Sequence, residues 1–174
     1  MRRIVPRTPL TAEALRQLAL TYVGRFATSE AKLAAYLTRK VREHGWDGAA
    51  PPATAVADIV ATMAQQRFVD DRAYADMKAQ GLARRGYGPR RVRQALGAAG
   101  IEENVMQAAL DAVDTDGDAV ALAFARRRRL GPFSQNPEDP RHKARAFSAM
   151  MRAGHDYATV RRILDLDPEV VHNS

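Results

Sequence analysis

The sequence predicts an all-α protein built from three tandem three-helix repeats that form an elongated, curved helical array. Three observations predict it. Apolar residues recur at helical spacing through most of the chain, and nowhere does a period of two persist long enough to make a strand. Hydrophobic residues reach 46% while aromatics stay at 6%, so the core is built mainly from Ala, Leu, Val and Met, and Ala, Leu and Met favour helix. The helices also fall into threes with matching punctuation, at a period of about 45–50 residues, which is the mark of a repeat architecture.

The elements follow in order. A first helix over about Thr11–Phe26 carries Leu15, Leu18, Tyr22, Val23 and Phe26 on one stripe, with Thr11 as its N-cap. A second follows Thr28 or Ser29, shows Leu33, Leu37 and Val41, and stops at Gly45. The Gly/Pro-rich stretch from Gly45 to Pro52 is a loop, and a third helix starts near Thr54 with Val56, Ile59, Val60 and Met63. Asp70 and Asp71 open a fourth, with Tyr74, Met77 and Leu82, which ends near Gly86. Pro89 suits the first turn of a fifth, where its missing N–H is not needed, and Val92 and Leu96 face inward. A sixth holds Val105, Ala109, Leu110 and Val113, and a seventh covers roughly Ala119–Leu130. After a Gly/Pro-rich loop, an eighth carries Ala144, Phe147 and Met151 up to Gly154. A ninth carries Tyr157, Val160 and Leu164 and stops before Pro168. The resulting division is a flexible basic N-terminus at 1–9, repeats at 10–69, 70–114 and 115–167, and a fraying tail at 168–174.

Composition narrows the function. A net charge of +7 favours a polyanionic partner, either nucleic acid or an acidic protein face. The absence of cysteine removes disulfides, thiolate catalysis and Cys-based zinc sites together. No apolar run is long enough for a membrane span, and no apolar segment follows the basic start as a secretory signal requires. The expected location is cytoplasmic.

Candidate chemistry concentrates in Gly81–Gly97, which holds five arginines and no acidic residue. Arg84 and Arg85 end one helix, where the dipole favours cations; Arg90, Arg91 and Arg93 begin the next, where it opposes them. An external anion resolves that conflict, helped by backbone N–H groups at the helix start. Tyr87, between the two clusters, is placed to stack on a base. The run Arg126–Arg129 spans all faces of a helix, so only part of it, read here as Arg126 and Arg129, can meet one ligand. Asp70 and Asp71 read as helix caps, not as a catalytic pair. Gly86, Gly88 and Pro89 read as turn residues. Asp114, Asp116 and Asp118 imitate the start of a calcium loop, but Ala119 and Ala125 stand where Gly and Glu are needed. His44, His142, His155 and His172 show no metal-ligand spacing. No metal, cofactor or catalytic residue is expected.

Three runs then carry a resemblance: Phe68-Val69-Asp70-Asp71-Arg72-Ala73-Tyr74-Ala75, Arg84-Arg85-Gly86-Tyr87-Gly88-Pro89-Arg90-Arg91-Val92 and Leu96-Gly97-Ala98-Ala99-Gly100-Ile101. Together they resemble the central repeat of RecX regulatory proteins, most specifically over residues 55–113. The first repeat is a looser match: Arg25 precedes Ser29 by four and Lys32-Leu33 stands where Glu-Leu is usual. The resemblance implies a non-enzymatic regulator that binds a RecA-type recombinase filament on single-stranded DNA; a monomer is expected, although the sequence does not fix the oligomeric state. It implies restraint of filament growth, ATP hydrolysis, strand exchange and co-protease activity. From the residues alone, a helix-turn-helix transcription regulator stands as the alternative, with Arg90, Arg91 and Gln94 as base readers.

Overall fold

A computed structural model describes residues 8–113 and 116–167. The basic start at Met1–Arg7, Asp114 and Thr115 of the aspartate-rich turn, and the tail from Pro168 with His172 lie outside the described residues. Among the described residues the chain forms nine α-helices: α1 (Ala12–Val23), α2 (Glu30–His44), α3 (Pro52–Gln65), α4 (Asp71–Ala83), α5 (Pro89–Gly97), α6 (Glu103–Asp111), α7 (Gly117–Arg128), α8 (Pro140–Arg152) and α9 (Tyr157–Leu164). A 3-10 turn at Gly131–Phe133 precedes α8. The only β feature described is a single-pair bridge between Leu10 and Trp46.

The helices divide into two compact units. The first comprises the residues up to Tyr74 together with Ala99–Ile101; the second holds Ala75–Ala98 and everything from Glu102. In the first, α1, α2 and α3 enclose Leu15, Ala19, Leu33, Leu37, Val60 and Met63. Each fully buried Leu of this kind stabilises the fold by about 1.5–3 kcal/mol. Caps define the helix starts: Thr11 accepts from the Ala14 N–H at 3.2 Å, and Ser29 from Lys32 at 3.3 Å. Leu10 donates to the Gly45 carbonyl and accepts from the Asp47 N–H, while the Trp46 indole donates to Ala50, so the loop after α2 is tied to the chain before α1.

Several sequence expectations shift. The third helix begins at Pro52, two residues before Thr54, because proline is suited to the first helical position. The first ends at Val23, and Phe26, assigned to the inward stripe, is 57% exposed beyond the helix end. Met77 and Tyr157 are likewise exposed, and α8 buries Ala146 and Met150 where Ala144 and Met151 were expected to lead. The aspartate pair divides its work. Asp70 caps its own helix through the Ala73 N–H at 2.9 Å, whereas Asp71 accepts from the Glu30 N–H at 2.9 Å and so caps α2. Lys32 donates to the Tyr74 hydroxyl at 2.7 Å, and the Ser29 hydroxyl donates to the Ala99 carbonyl.

The second unit is centred on Ala121, Phe124, Ala125, Met150, Val160 and Ile163. The turn between α4 and α5 packs directly on the turn between α8 and α9. The Gly88 N–H donates to Ala153 at 2.9 Å and the Arg90 N–H to Gly154 at 3.2 Å. The backbones meet so closely that a Cβ on Gly154 would lie 2.3 Å from the Arg91 nitrogen, and one on Gly88 would lie 2.5 Å from the Gly154 carbonyl. His155 is buried there, its Nε2 3.0 Å from the Gly86 carbonyl oxygen. That oxygen only accepts, so Nε2 carries the proton. Burial holds the imidazole below its ordinary pKa, while the Gly86 bond and the nearby Asp156 carboxylate push the other way. Across the unit, Arg162 on α9 grips Asp118 on α7 through two bonds of 3.0 and 2.7 Å. Those bonds draw the Asp118 carboxyl below its usual value.

Two outcomes follow. Gly154→Ala should destabilise the protein by roughly 3 kcal/mol or more, since a left-handed backbone and a backbone clash act together. Gly81→Ala, in a helix interior with open space around it, should stabilise by about 0.5–1 kcal/mol. Urea titration of the two variants checks both signs. For His155, the folded state prefers the neutral ring, so the unfolded state binds more protons just below its own pKa. Stability should be full above about pH 6.5 and fall as pH drops toward the lowered folded value. Denaturation midpoints measured against pH should show this slope in the natural protein and lose it in His155→Gln.

Candidate polyanion interface

The sequence-selected arginines are sorted by their surroundings. Arg84 and Arg85 are exposed at the end of α4, and the Arg85 Nε donates back to Gly81 at 2.9 Å. The two carbonyls of Arg84 and Arg85 are orphaned by the helix end. Arg127 supplies their donors, reaching Arg85 at 2.9 Å and Arg84 at 3.2 Å. One member of the four-arginine run is therefore a helix cap supplied from another helix. Arg93 is spent on α6, paired with Glu103 and donating to Gln107 at 2.8 Å. Arg90 is exposed, and Arg91 is exposed with a 2.6 Å bond to Gln94.

The phosphate-binding reading of the α5 start meets a geometric correction. Pro89 has no N–H, Gly88 and Arg90 donate to the α8–α9 turn, and Arg91 and Val92 donate to Gly88. The backbone donors expected to hold a phosphate are already used inside the fold. Gly86, Gly88 and Pro89 do serve the turn as read, with Gly86 at φ +79° against the α7 backbone. Tyr87 is half-buried, packed on the core with its ring centroid 5.8 Å from Phe124.

What the second unit does assemble is a groove of about 530 Å³ rimmed by three arginines from three helices: Arg91, Arg128 and Arg152. Tyr87, Phe124, Leu130, Ala149 and Ala153 complete its lining, and no carboxylate contributes to it. The Arg128 guanidinium sits 5.8 Å from the Phe124 ring centroid. Arg128 and Arg152 end α7 and α8, where the helix dipole supports a cation; Arg91, at the start of α5, lacks that support. None of the three has a carboxylate partner among the described residues. Such a groove suits an oxyanion, since guanidinium offers paired donors to carboxylate or phosphate.

Arg128 and Arg152 were missed because nothing local marks them. Arg128 follows Phe124 by four residues, hence shares its helix face, and that spacing was the one available signal. Arg126, chosen instead, packs its guanidinium 5.3 Å from the Phe133 ring, and Arg129 is exposed in the left-handed residue that ends α7. No cluster of potential metal ligands occurs among the described residues.

Comparison with known proteins agrees with the three-helix grouping. Residues 70–110 match the family model described as RecX, second three-helix domain. The chain is 30% identical over 161 residues to the regulatory protein RecX of Myxococcus xanthus, covering 88% of this chain and 86% of the relative. It is 31% identical over 134 residues to that of Stenotrophomonas maltophilia, covering 76% and 77%. In fold it resembles a crystal structure of regulatory protein RecX with a TM-score of 0.69 at 20% identity, over 89% of this chain and 73% of the other. The RecX structure from Lactobacillus salivarius gives 0.66 at 16% identity, over 88% and 96%. Identity sustained across most of both chains, on an all-helical framework with the second three-helix domain in place, shows that this chain belongs to the RecX family of regulatory proteins, which are not enzymes.

Proposed function

We propose that the protein regulates a RecA-type recombinase, binding its filament on single-stranded DNA in the cytoplasm and restraining growth, ATP hydrolysis, strand exchange and co-protease activity. The observation that carries the reading is the acid-free groove rimmed by Arg91, Arg128 and Arg152, in a chain of net charge +7 and of this family. The exposed Arg84, Arg85, Arg90 and Arg129 extend the cationic surface of the same unit. In this reading the chain acts as a monomer that holds neighbouring subunits and limits their motion, without chemistry of its own. The division into repeats at 10–69, 70–114 and 115–167 belongs to the same proposal. In its support, Ser29 before α2 contacts Ala99, and Gly88 before α5 contacts Ala153, so the same step recurs.

The transcription-regulator alternative differs from this reading in its ligand, a duplex of defined sequence. A recognition helix reads bases with its first turn. At the start of α5 the Gly88 and Arg90 N–H groups are bonded to the α8–α9 turn, while the side chains of Arg90, Arg91 and Gln94 are exposed.

The test is filament ATPase titrated with the regulator. The triple variant Arg91→Ala, Arg128→Ala, Arg152→Ala should need about tenfold more protein for half-inhibition, with a correspondingly shallower salt dependence. Arg93→Ala, whose guanidinium is held by Glu103 and Gln107, should inhibit nearly as the natural protein does. Equal potency of the triple variant and the natural protein would remove the groove from the interface.

A further inference from the structure

We infer that the first unit carries a base-stacking platform for single-stranded nucleic acid, made of Phe26, Tyr22 and Tyr36. It deepens the reading above, resting on it for the filament context, by naming a contact that the arginine groove does not make.

The argument starts from Phe26. A large aromatic 57% exposed is informative only if it is not alone. Phe26 is not. Its ring lies 5.3 Å from Tyr22, and Tyr22 stacks on Tyr36 at 4.2 Å with planes 18° apart. The platform is held firmly. The Phe26 N–H still donates to the Tyr22 carbonyl at 3.0 Å, and both tyrosines pack on the core of the unit. The exposed ring therefore sits at the open end of a fixed series of ring contacts.

The surroundings say what such a surface takes. The Arg39 guanidinium lies 5.6 Å and the Lys40 ammonium 5.8 Å from the Tyr36 ring, and the exposed Arg25 adjoins Phe26 in sequence. Glu43 is shared between Lys40 at 2.8 Å and Arg39 at 3.8 Å, so one carboxylate offsets part of the charge of Arg25, Arg39 and Lys40 and an excess of positive charge is left. An apolar protein surface gains little from this density of cations. A nucleic-acid strand gains from both parts: bases stack on rings whatever their identity, and phosphates meet the cations. A duplex hides its base faces, so the ligand is single-stranded.

The test uses the full chain and labelled single-stranded oligothymidylate, followed by anisotropy at several salt concentrations. Phe26→Ala should weaken binding about tenfold, as loss of one stacked base does, while leaving the salt slope unchanged. Phe26→Trp should keep the affinity. An oligomer with the same phosphates but abasic sugars should bind the natural protein as weakly as oligothymidylate binds Phe26→Ala. Unaltered circular dichroism and Trp46 emission establish that the variants fold. The abasic comparison needs no variant at all. If the natural protein does not distinguish bases from abasic sugars, or if Phe26→Ala binds as tightly as the natural protein, the platform is overturned. Neither result bears on inhibition through the arginine groove, which is read from filament ATPase. Weakened binding of Phe26→Ala to the recombinase alone, at unchanged oligonucleotide affinity, would overturn it in favour of a protein contact.

Discussion

The second unit depends on one contact: the turn before α5 lies against the turn before α9 with no side chain between the two backbones. Gly88 and Gly154 make this possible, because a Cβ on Gly88 would stand 2.5 Å, and one on Gly154 2.3 Å, from a neighbouring backbone atom. Three consequences follow. The backbone donors of the α5 start are satisfied internally, so α5 is anchored at its first turn. His155 is drawn into the interior, where burial holds its pKa below the ordinary value, and its Nε2 bonds the Gly86 carbonyl. Arg91 and Arg152, close to this contact in sequence, are brought beside Arg128 to rim one groove. Packing and electrostatics are thus linked: the glycines set the approach, and the approach concentrates the charge.

The first unit contains an equivalent step with different chemistry. Ser29 occupies the place of Gly88, as the N-cap of the second helix of its group, and donates to Ala99 just as the Gly88 amide donates to Ala153. Gly100, at φ +72°, closes on Ala31 as Gly154 closes on Arg91. Asp71 and Lys32 add a cap and a hydroxyl bond. Ser29 and Gly88 are both small and both supply a hydrogen-bond donor at this step. The donor is a side-chain hydroxyl in one and a backbone amide in the other.

Much of this was readable in the chain. The nine helices of the described residues, their N-caps at Thr11 and Ser29, the stop at Gly45 and Pro89 at a first turn follow from local chemistry, and local chemistry is what periodicity and capping report. What was not readable is tertiary. Asp71 resembles Asp70 in sequence, yet it caps a helix 41 residues away. Arg127 cannot be told from its three arginine neighbours until the carbonyls of Arg84 and Arg85 arrive beside it. Arg93 looks like part of a basic cluster until Glu103 takes its charge. Phe26 fits an apolar stripe whose helix stops before reaching it.

These cases share a physical cause that bears on how a basic protein selects its partner. A guanidinium has five donors and no preference, at the level of sequence, between an internal carbonyl, an internal carboxylate and an external phosphate. The fold makes the choice by deciding which acceptors come within reach. Arg127, Arg93 and Arg162 find acceptors inside and become structural. Arg91, Arg128 and Arg152 come together where no carboxylate lines the groove. Three cations held together in this way repel one another, and an anion from outside relieves that repulsion. The excess charge of the sequence is therefore not spread evenly over the surface as binding capacity. Part of it holds helices together, and part of it, at Arg91, Arg128 and Arg152, lines a groove to which no carboxylate contributes.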